Sequence, residues 1–272
     1  MKRLLIAGCG DLGSRLAPRV IANGWHVTGL RRNPAGLPDG IAAVAADLND
    51  PASLDAVAGH WDAIVYQATP DQRDPEGYRR AYVAGLANLA EHVDCDRLVF
   101  VSSTAVYGQD SGEWVDEDSA TEPAAFNGEI LLEAEHSARA WPAAAATVVR
   151  FSGIYGPGRE YLIRMLREGR ASCRETPPQW TNRIHADDCA GVLAHLLGLA
   201  EPPGLLCASD CRPAPRCEVL DWLAGQLSVD APVRDPNATA GSGKRVSSER
   251  LRATGYRFGY PDYQTGYGAL LT

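Results

Sequence analysis

Near its start the chain reads Leu4-Leu5-Ile6-Ala7-Gly8-Cys9-Gly10-Asp11-Leu12-Gly13. A short apolar run leads into Gly-x-Gly-x-x-Gly, and a helical pattern follows at once. Few folds accommodate that order of parts. Gly8 allows a tight strand-to-helix turn, Gly10 keeps the backbone open to a phosphate, and Gly13 lets the helix lie close on the strand. The free N–H groups at the helix start would hold a dinucleotide pyrophosphate. Gly8, Cys9, Gly10, Asp11, Leu12 and Gly13 are therefore the first cofactor-binding candidates.

The rest of the first half repeats the theme. Short apolar runs at 4–7, 25–30, 44–46, 63–67, 97–102 and 147–151 read as strands. Helical patterns at 14–23, 53–58, 78–92 and 124–141 lie between them. Strand-helix alternation predicts an α/β, Rossmann-type doubly wound parallel sheet, with ligands at the strand C-terminal ends. Beyond residue 152 Gly and Pro become frequent, although 187–199 still reads as a helix. The expected organisation is a dinucleotide-binding core at 1–152, to which 183–200 returns. A smaller C-terminal substrate lobe would comprise 153–182 and 201–272. The stretch 234–242 is the expected mobile loop.

The acidic residue that binds a ribose 2′-hydroxyl stands about 20 positions beyond the glycines in an NAD site. Here that stretch is Thr28-Gly29-Leu30-Arg31-Arg32-Asn33. Two guanidinium forks in place of a carboxylate suit a phosphate, so Arg31 and Arg32 point to NADP, with NAD as second choice.

Composition excludes other classes. With a net charge of -8 and no basic run, the chain lacks the electrostatic footprint of a nucleic-acid binder. No apolar stretch is long enough for a membrane span, and only four apolar residues separate Lys2-Arg3 from glycine, so a cytoplasmic location is expected. The seven cysteines show no CxxC pair and read as thiols in a reducing compartment, with no metal site.

Three later segments carry a family resemblance. Phe100-Val101-Ser102-Ser103-Thr104-Ala105-Val106-Tyr107-Gly108 resembles the active-site serine strand of the short-chain dehydrogenase/reductase superfamily, in its extended branch of epimerases and dehydratases. Arg150-Phe151-Ser152-Gly153-Ile154-Tyr155-Gly156-Pro157-Gly158-Arg159 resembles its sixth-strand loop. Asn182-Arg183-Ile184-His185-Ala186-Asp187-Asp188 resembles its motif entering the helix that returns to the core. The resemblance implies Asp47 and Leu48 near the adenine, Ala68 near the nicotinamide-side ribose, Ser102 among the cofactor contacts, and Ser103 as the catalytic serine. It also implies a homodimer contact through the helices at 78–92 and 124–141.

One departure stands out. The family's catalytic Tyr-x-x-x-Lys would fall where this chain has Phe126 and Ile130, and no Tyr-x-x-x-Lys occurs elsewhere. Phenylalanine has no proton to give, and isoleucine has neither charge nor donor. This resembles the atypical members of the superfamily. Tyr107 is the nearest phenol in the motif, able to donate a proton or simply packed in its turn. Arg159, Arg183 and Lys244 are candidates for an anionic small-molecule substrate. His185 is a candidate titrating group or helix cap, and Glu129, Glu133 and Glu135 are candidate bases or a solvated face. Two functions follow: an NADP-dependent oxidoreductase or epimerase with an altered catalytic set, or a dinucleotide-binding sensor or scaffold without turnover.

Overall fold

The computed structural model describes residues 2–141, 145–235 and 241–271. Its centre is a seven-stranded sheet. The strands are β1 (Lys2–Ala7), β2 (Trp25–Arg31), β3 (Ile41–Ala45), β4 (Ala63–Tyr66), β5 (Arg97–Ser103), β6 (Ala145–Phe151) and β7 (Leu205–Ala208). Their order is β7-β6-β5-β4-β1-β2-β3. The sheet is parallel, as in a doubly wound Rossmann fold. Strand order reverses between β1 and β4, and such a switch point opens a crevice beyond the strand C-terminal ends.

The central strands are apolar throughout because both faces are covered: Leu4, Leu5, Ile6, Ala7, Ala63, Ile64, Val65 and Tyr66 are fully buried. The edge strand β3 is only partly buried. Its weak pattern explains why the sequence suggests 44–46 rather than the observed range. β7 is a strand the sequence reading omits, because Pro202-Pro203-Gly204 beside it reads as loop.

The helix after the glycines starts at Asp11, ahead of the expected 14, since the tight turn places its cap at Gly10. The pattern at 78–92 resolves into Pro75–Tyr78, a π-helical stretch Arg79–Ala84, and Gly85–His92. A side chain accounts for the widened turn. Buried Tyr66 donates its hydroxyl to the Ala81 carbonyl at 2.6 Å, and insertion of a donor into the ladder is a recognised cause of such bulges. At Gly85 a Cβ would come within 2.7 Å of that same hydroxyl.

The chain forms two compact units. The first is Met1–Val106, Thr121–Arg150 and Ala190–Leu206; the second is Tyr107–Ala120, Phe151–Cys189 and Cys207–Thr272. Each has its own apolar core. The first includes Leu5, Leu54, Ile64, Leu89, Phe100 and Val148; the second includes Tyr155, Ile163, Val219, Leu220, Leu223 and Tyr267. The expected mobile loop at 234–242 falls largely on 236–240, which lie outside the described residues.

The second unit corrects the reading of all the cysteines as thiols. Cys173 and Cys217, 44 residues apart, form a disulfide with a Cα–Cα distance of 5.3 Å. Cys173 ends the short strand Ser172–Cys173, and Cys217 lies in the first turn of the Arg216–Leu227 helix. Only folding brings those elements together. Cys9, Cys95, Cys189, Cys207 and Cys211 remain thiols.

Candidate functional site

In the first unit the C-terminal ends of β1, β2, β3 and β4 surround a cavity of about 290 Å3. It gathers the glycine loop, Arg31, Arg32, Asp47, Leu48 and Ala68. The local backbone explains the glycines. Gly8 sits at φ +81°, and a Cβ there would lie 2.8 Å from the Ala68 backbone. Its N–H and that of Cys9 both donate to the Leu30 carbonyl, which ties the turn to β2. A Cβ at Gly13 would strike Cys9 Sγ at 2.9 Å and the Gln67 amide, so close helix packing requires glycine there too. Gly10 caps the helix with no side-chain hydrogen bond, which leaves the helix start suited to an anion. Asp11, Leu12 and Gly13 form its first turn without lining the cavity. Burial pushes the Cys9 thiol up to about 11, so it stays protonated.

The charges around the cavity are more balanced than the sequence suggests. Arg32 forms a two-pronged ion pair with Asp71. That hydrogen-bonded pairing raises the Arg32 pKa and lowers that of Asp71. Arg80, from the π-helical stretch, also lines the cavity. Sequence reasoning missed both Asp71 and Arg80. Asp71 follows the end of β4, where a doubly wound sheet places ligand contacts; Arg80 has no such signal. Asp47 Oδ1 accepts from the Asn49 backbone N–H at 2.9 Å, a local turn in the cavity wall.

Ser102 and Ser103 end β5 outside that cavity. Ser102 is buried and donates to Glu135 Oε1 at 2.6 Å. Arg150 grips the same carboxylate, with Nε to Oε1 at 2.9 Å and Nη2 to Oε2 at 2.6 Å. Glu135 is thus the buried centre of a structural network. Ser103 Oγ accepts from the Ala105 N–H at 3.2 Å, and its own proton is not spent in that bond. The Phe126–Arg139 helix passes so close to this turn that a Cβ at Gly128 would lie 2.4 Å from the Ala105 carbonyl. Phe126 opens the helix with its ring edge-on to Tyr78 at 5.5 Å, and Ile130 is buried.

In the second unit the Tyr107 hydroxyl donates to the Asp116 carbonyl at 2.6 Å and lies 3.1 Å from Cys207 Sγ. That is the packed arrangement rather than a free proton donor. Lys244 Nζ donates to the Tyr107 carbonyl at 2.6 Å, and burial lowers its pKa. His185 is buried, stacks on Tyr260 at 3.8 Å, and accepts from the Asp187 N–H, so it caps the following helix. Asp188 does more than sit in that helix's first turn. Its carboxylate accepts from Gly259 N–H, Tyr260 N–H and the Tyr256 hydroxyl.

A second cavity, of about 210 Å3, lies wholly within this unit. It brings Arg159 and Arg183 together and adds Arg216, which the sequence did not single out. Lys244 does not line it.

Known proteins resemble this chain over most of its length. Residues 4–203 match the family model of the NAD dependent epimerase/dehydratase family. A Methylobacillus flagellatus protein classed with the NAD-dependent epimerases/dehydratases is 39% identical; the match covers 99% of this chain and 97% of that one, with a TM-score of 0.83. Protein YeeZ of Escherichia coli (strain K12) is 29% identical, over 96% of this chain and 97% of its own length. The human epimerase family protein SDR39U1 (isoform 2), solved with NADPH, shares the fold at a TM-score of 0.80 and 23% identity, covering 100% of this chain and 99% of its own.

Proposed function

The chain belongs to the NAD dependent epimerase/dehydratase family, and on that premise we propose an NADP(H)-dependent enzyme of oxidoreductase or epimerase type. Its substrate is small or nucleotide-sugar-like, and anionic. One observation carries the cofactor half: the glycine loop, Arg31, Arg32 and Arg80 line a single cavity at the switch point. The NADPH bound by human SDR39U1 agrees with this reading.

The residues present fit such a cofactor, because the backbone at Gly8 and Gly13 leaves no room for a Cβ. The uncapped start of the Asp11–Ile21 helix would hold the pyrophosphate, since the Gly8 and Cys9 amides are spent on the Leu30 carbonyl. Arg31 and Arg80, with Arg32 once it leaves Asp71, hold a 2′-phosphate. Asp47 and Leu48 would wall the adenine and Ala68 would face the second ribose, as all three line the cavity. A bound nicotinamide supplies hydride donor or acceptor chemistry. Ser103 donates its free proton to a substrate oxygen and so polarises it. Arg159 and Arg183, in the second unit's own cavity, are candidates for holding an anionic group.

A second reading is binding without turnover. Phe126 and buried Ile130 favour it, because no phenol or ammonium stands at those positions of the helix.

Thermal-shift and calorimetric titration with NADPH, NADP, NADH and NAD tests the cofactor half. Binding raises the melting temperature by mass action, and the phosphorylated forms should do so preferentially. Equal shifts from NADH would overturn the NADP assignment. Substrate-dependent NADPH oxidation, lost in Ser103→Ala, separates enzyme from sensor.

A further inference from the structure

Tyr66, the last residue of β4, carries a polar atom into an apolar core. It is fully buried, and its ring stacks on Phe100 at 5.8 Å. Strand register holds it in place, since Tyr66 pairs with Ala7 on one side and with Phe100 on the other. Its hydroxyl therefore ends at a fixed point, where it donates to the Ala81 carbonyl at 2.6 Å. Burial raises its pKa, so it remains a donor.

That bond reorganises the facing helix. The Gly85 N–H passes over Ala81 and donates to the Arg80 carbonyl, five residues back. Gly85 makes the space, because a Cβ there would lie 2.7 Å from the Tyr66 hydroxyl and 3.1 Å from the Arg80 carbonyl. Glycine inside a helix is unfavourable relative to alanine, and the hydroxyl supplies the reason for it here. Both ends of the segment are anchored. Asp74 Oδ1 accepts from the Gly77 N–H at 2.7 Å, and Leu86 and Leu89 are buried in the first unit's core. The widened turn at Arg79–Ala84 is held between them.

The segment shaped in this way is part of the cofactor cavity's wall, through Gly77, Arg80 and Ala81. Running the Gly85–His92 helix backwards as a regular α-helix would turn Arg80 about the axis by one residue's rotation, about 100°. The charge balance makes that turn consequential. The charged side chains of the described lining are Arg31, Arg32, Arg80, Asp47 and Asp71. With Arg80 in the wall the cations exceed the carboxylates by one; without it they cancel. Arg80 also acts on the Arg32 partner, since its charge helps to lower the Asp71 pKa, after Arg32 itself.

We propose that the Tyr66 hydroxyl, accommodated by Gly85, is a positioning group that holds Arg80 in the cavity wall and thereby sets the preference for a 2′-phosphorylated dinucleotide. Arg80 meets the phosphate, and Tyr66 acts only through Arg80. The proposal rests on the cofactor half of the proposed function and adds to it the device that selects between the two dinucleotides.

The test is calorimetric titration of the full chain with NADPH and NADH, in the wild type, Tyr66→Phe, Arg80→Gln and the double variant. The readout is the ratio of the two affinities. Arg80→Gln should lower the NADPH-to-NADH ratio roughly tenfold, the order of one charge-assisted hydrogen bond. Tyr66→Phe should lower it severalfold. The double variant should fall no further than Arg80→Gln alone, because groups acting through one another are not additive. A wild-type ratio in Tyr66→Phe overturns the proposal, even with lowered stability, because that is the result of a merely structural hydroxyl. Losses that add in the double variant overturn it too. Urea unfolding checks that each variant is folded. Should Tyr66→Phe fail to fold, Tyr66→Phe combined with Gly85→Ala fills the vacated space and favours a regular helix; its ratio should also fall, and a wild-type ratio there overturns the proposal. A wild type without preference for NADPH sinks the NADP reading and this proposal together, whereas a preference that survives loss of the hydroxyl sinks this proposal alone.

Discussion

Arg32 and Asp71, both lining the first-unit cavity, face each other as a two-pronged ion pair, with Nη1–Oδ2 at 2.6 Å and Nη2–Oδ1 at 2.5 Å. Both side chains are largely exposed, so the pair adds little stability. Its consequence is for ligand choice. On the proposed NADP(H) reading, a 2′-phosphate would compete with Asp71 for the Arg32 fork. Asp71→Asn should therefore tighten NADPH binding by about threefold, in line with the modest strength of exposed pairs, and leave NADH nearly unchanged. Calorimetry with both dinucleotides checks this; an equal gain for NADH would show that the carboxylate acts only through general charge.

The Gly8 turn makes a sharper prediction. Its φ of +81° and the 2.8 Å approach to Ala68 leave no space for a methyl group. Gly8→Ala should cost about 1–3 kcal/mol from backbone strain and abolish dinucleotide binding. Gly24→Ala shares a positive φ of 83° but meets nothing within 4 Å. It should lose stability alone and retain binding. Chemical denaturation paired with dinucleotide titration separates the two effects.

The Ser102–Glu135–Arg150 network should behave as a buried ion pair with one neutral donor. Arg150→Met leaves the Glu135 carboxylate buried without its main partner and should destabilise by about 3–5 kcal/mol. Ser102→Ala removes a single hydrogen bond and should cost about 1–3 kcal/mol. Urea unfolding reads both. Near-equal losses would mean that the hydroxyl, rather than the guanidinium, holds the carboxylate.

Asp210 predicts a pH dependence of stability. It is buried, and burial pushes its pKa up to about 7, although Arg183 pulls the other way. The unfolded chain ionises near the ordinary value of 3.8, while the folded chain still holds the proton. Stability is therefore unaffected by this group below pH 4, falls as pH rises toward 7, and levels off above it. The full loss is on the order of 4 kcal/mol at 1.36 kcal/mol per unit. Asp210→Asn should flatten that slope; an unchanged urea midpoint profile between pH 4 and 8 would contradict it.

Much of the first unit was legible because its signals are local. A glycine at positive φ, an apolar strand and a capped helix are each decided by residues a few positions apart. The loop from Gly8 to Gly13 therefore announced both the fold and the crevice. Arg31 and Arg32 were readable for the same reason, since they end β2 at a fixed distance from the glycines. Ser102 shows the limit. Its position at the end of a strand was evident, but the direction of its hydroxyl depended on Glu135 and Arg150, which arrive from other elements.

By itself the sequence determined the glycine turn, the strand-helix alternation, the absence of a Tyr-x-x-x-Lys pair and the arginines that end β2. Backbone sterics and short-range periodicity suffice for those. Tertiary structure alone decided that Asp71 engages Arg32 from 39 residues away, that Arg216 joins Arg159 and Arg183 around one cavity, and that Cys173 bonds Cys217. Charge pairing and disulfide formation depend on distances of a few ångströms. Between residues far apart in sequence, only the packed core sets such distances.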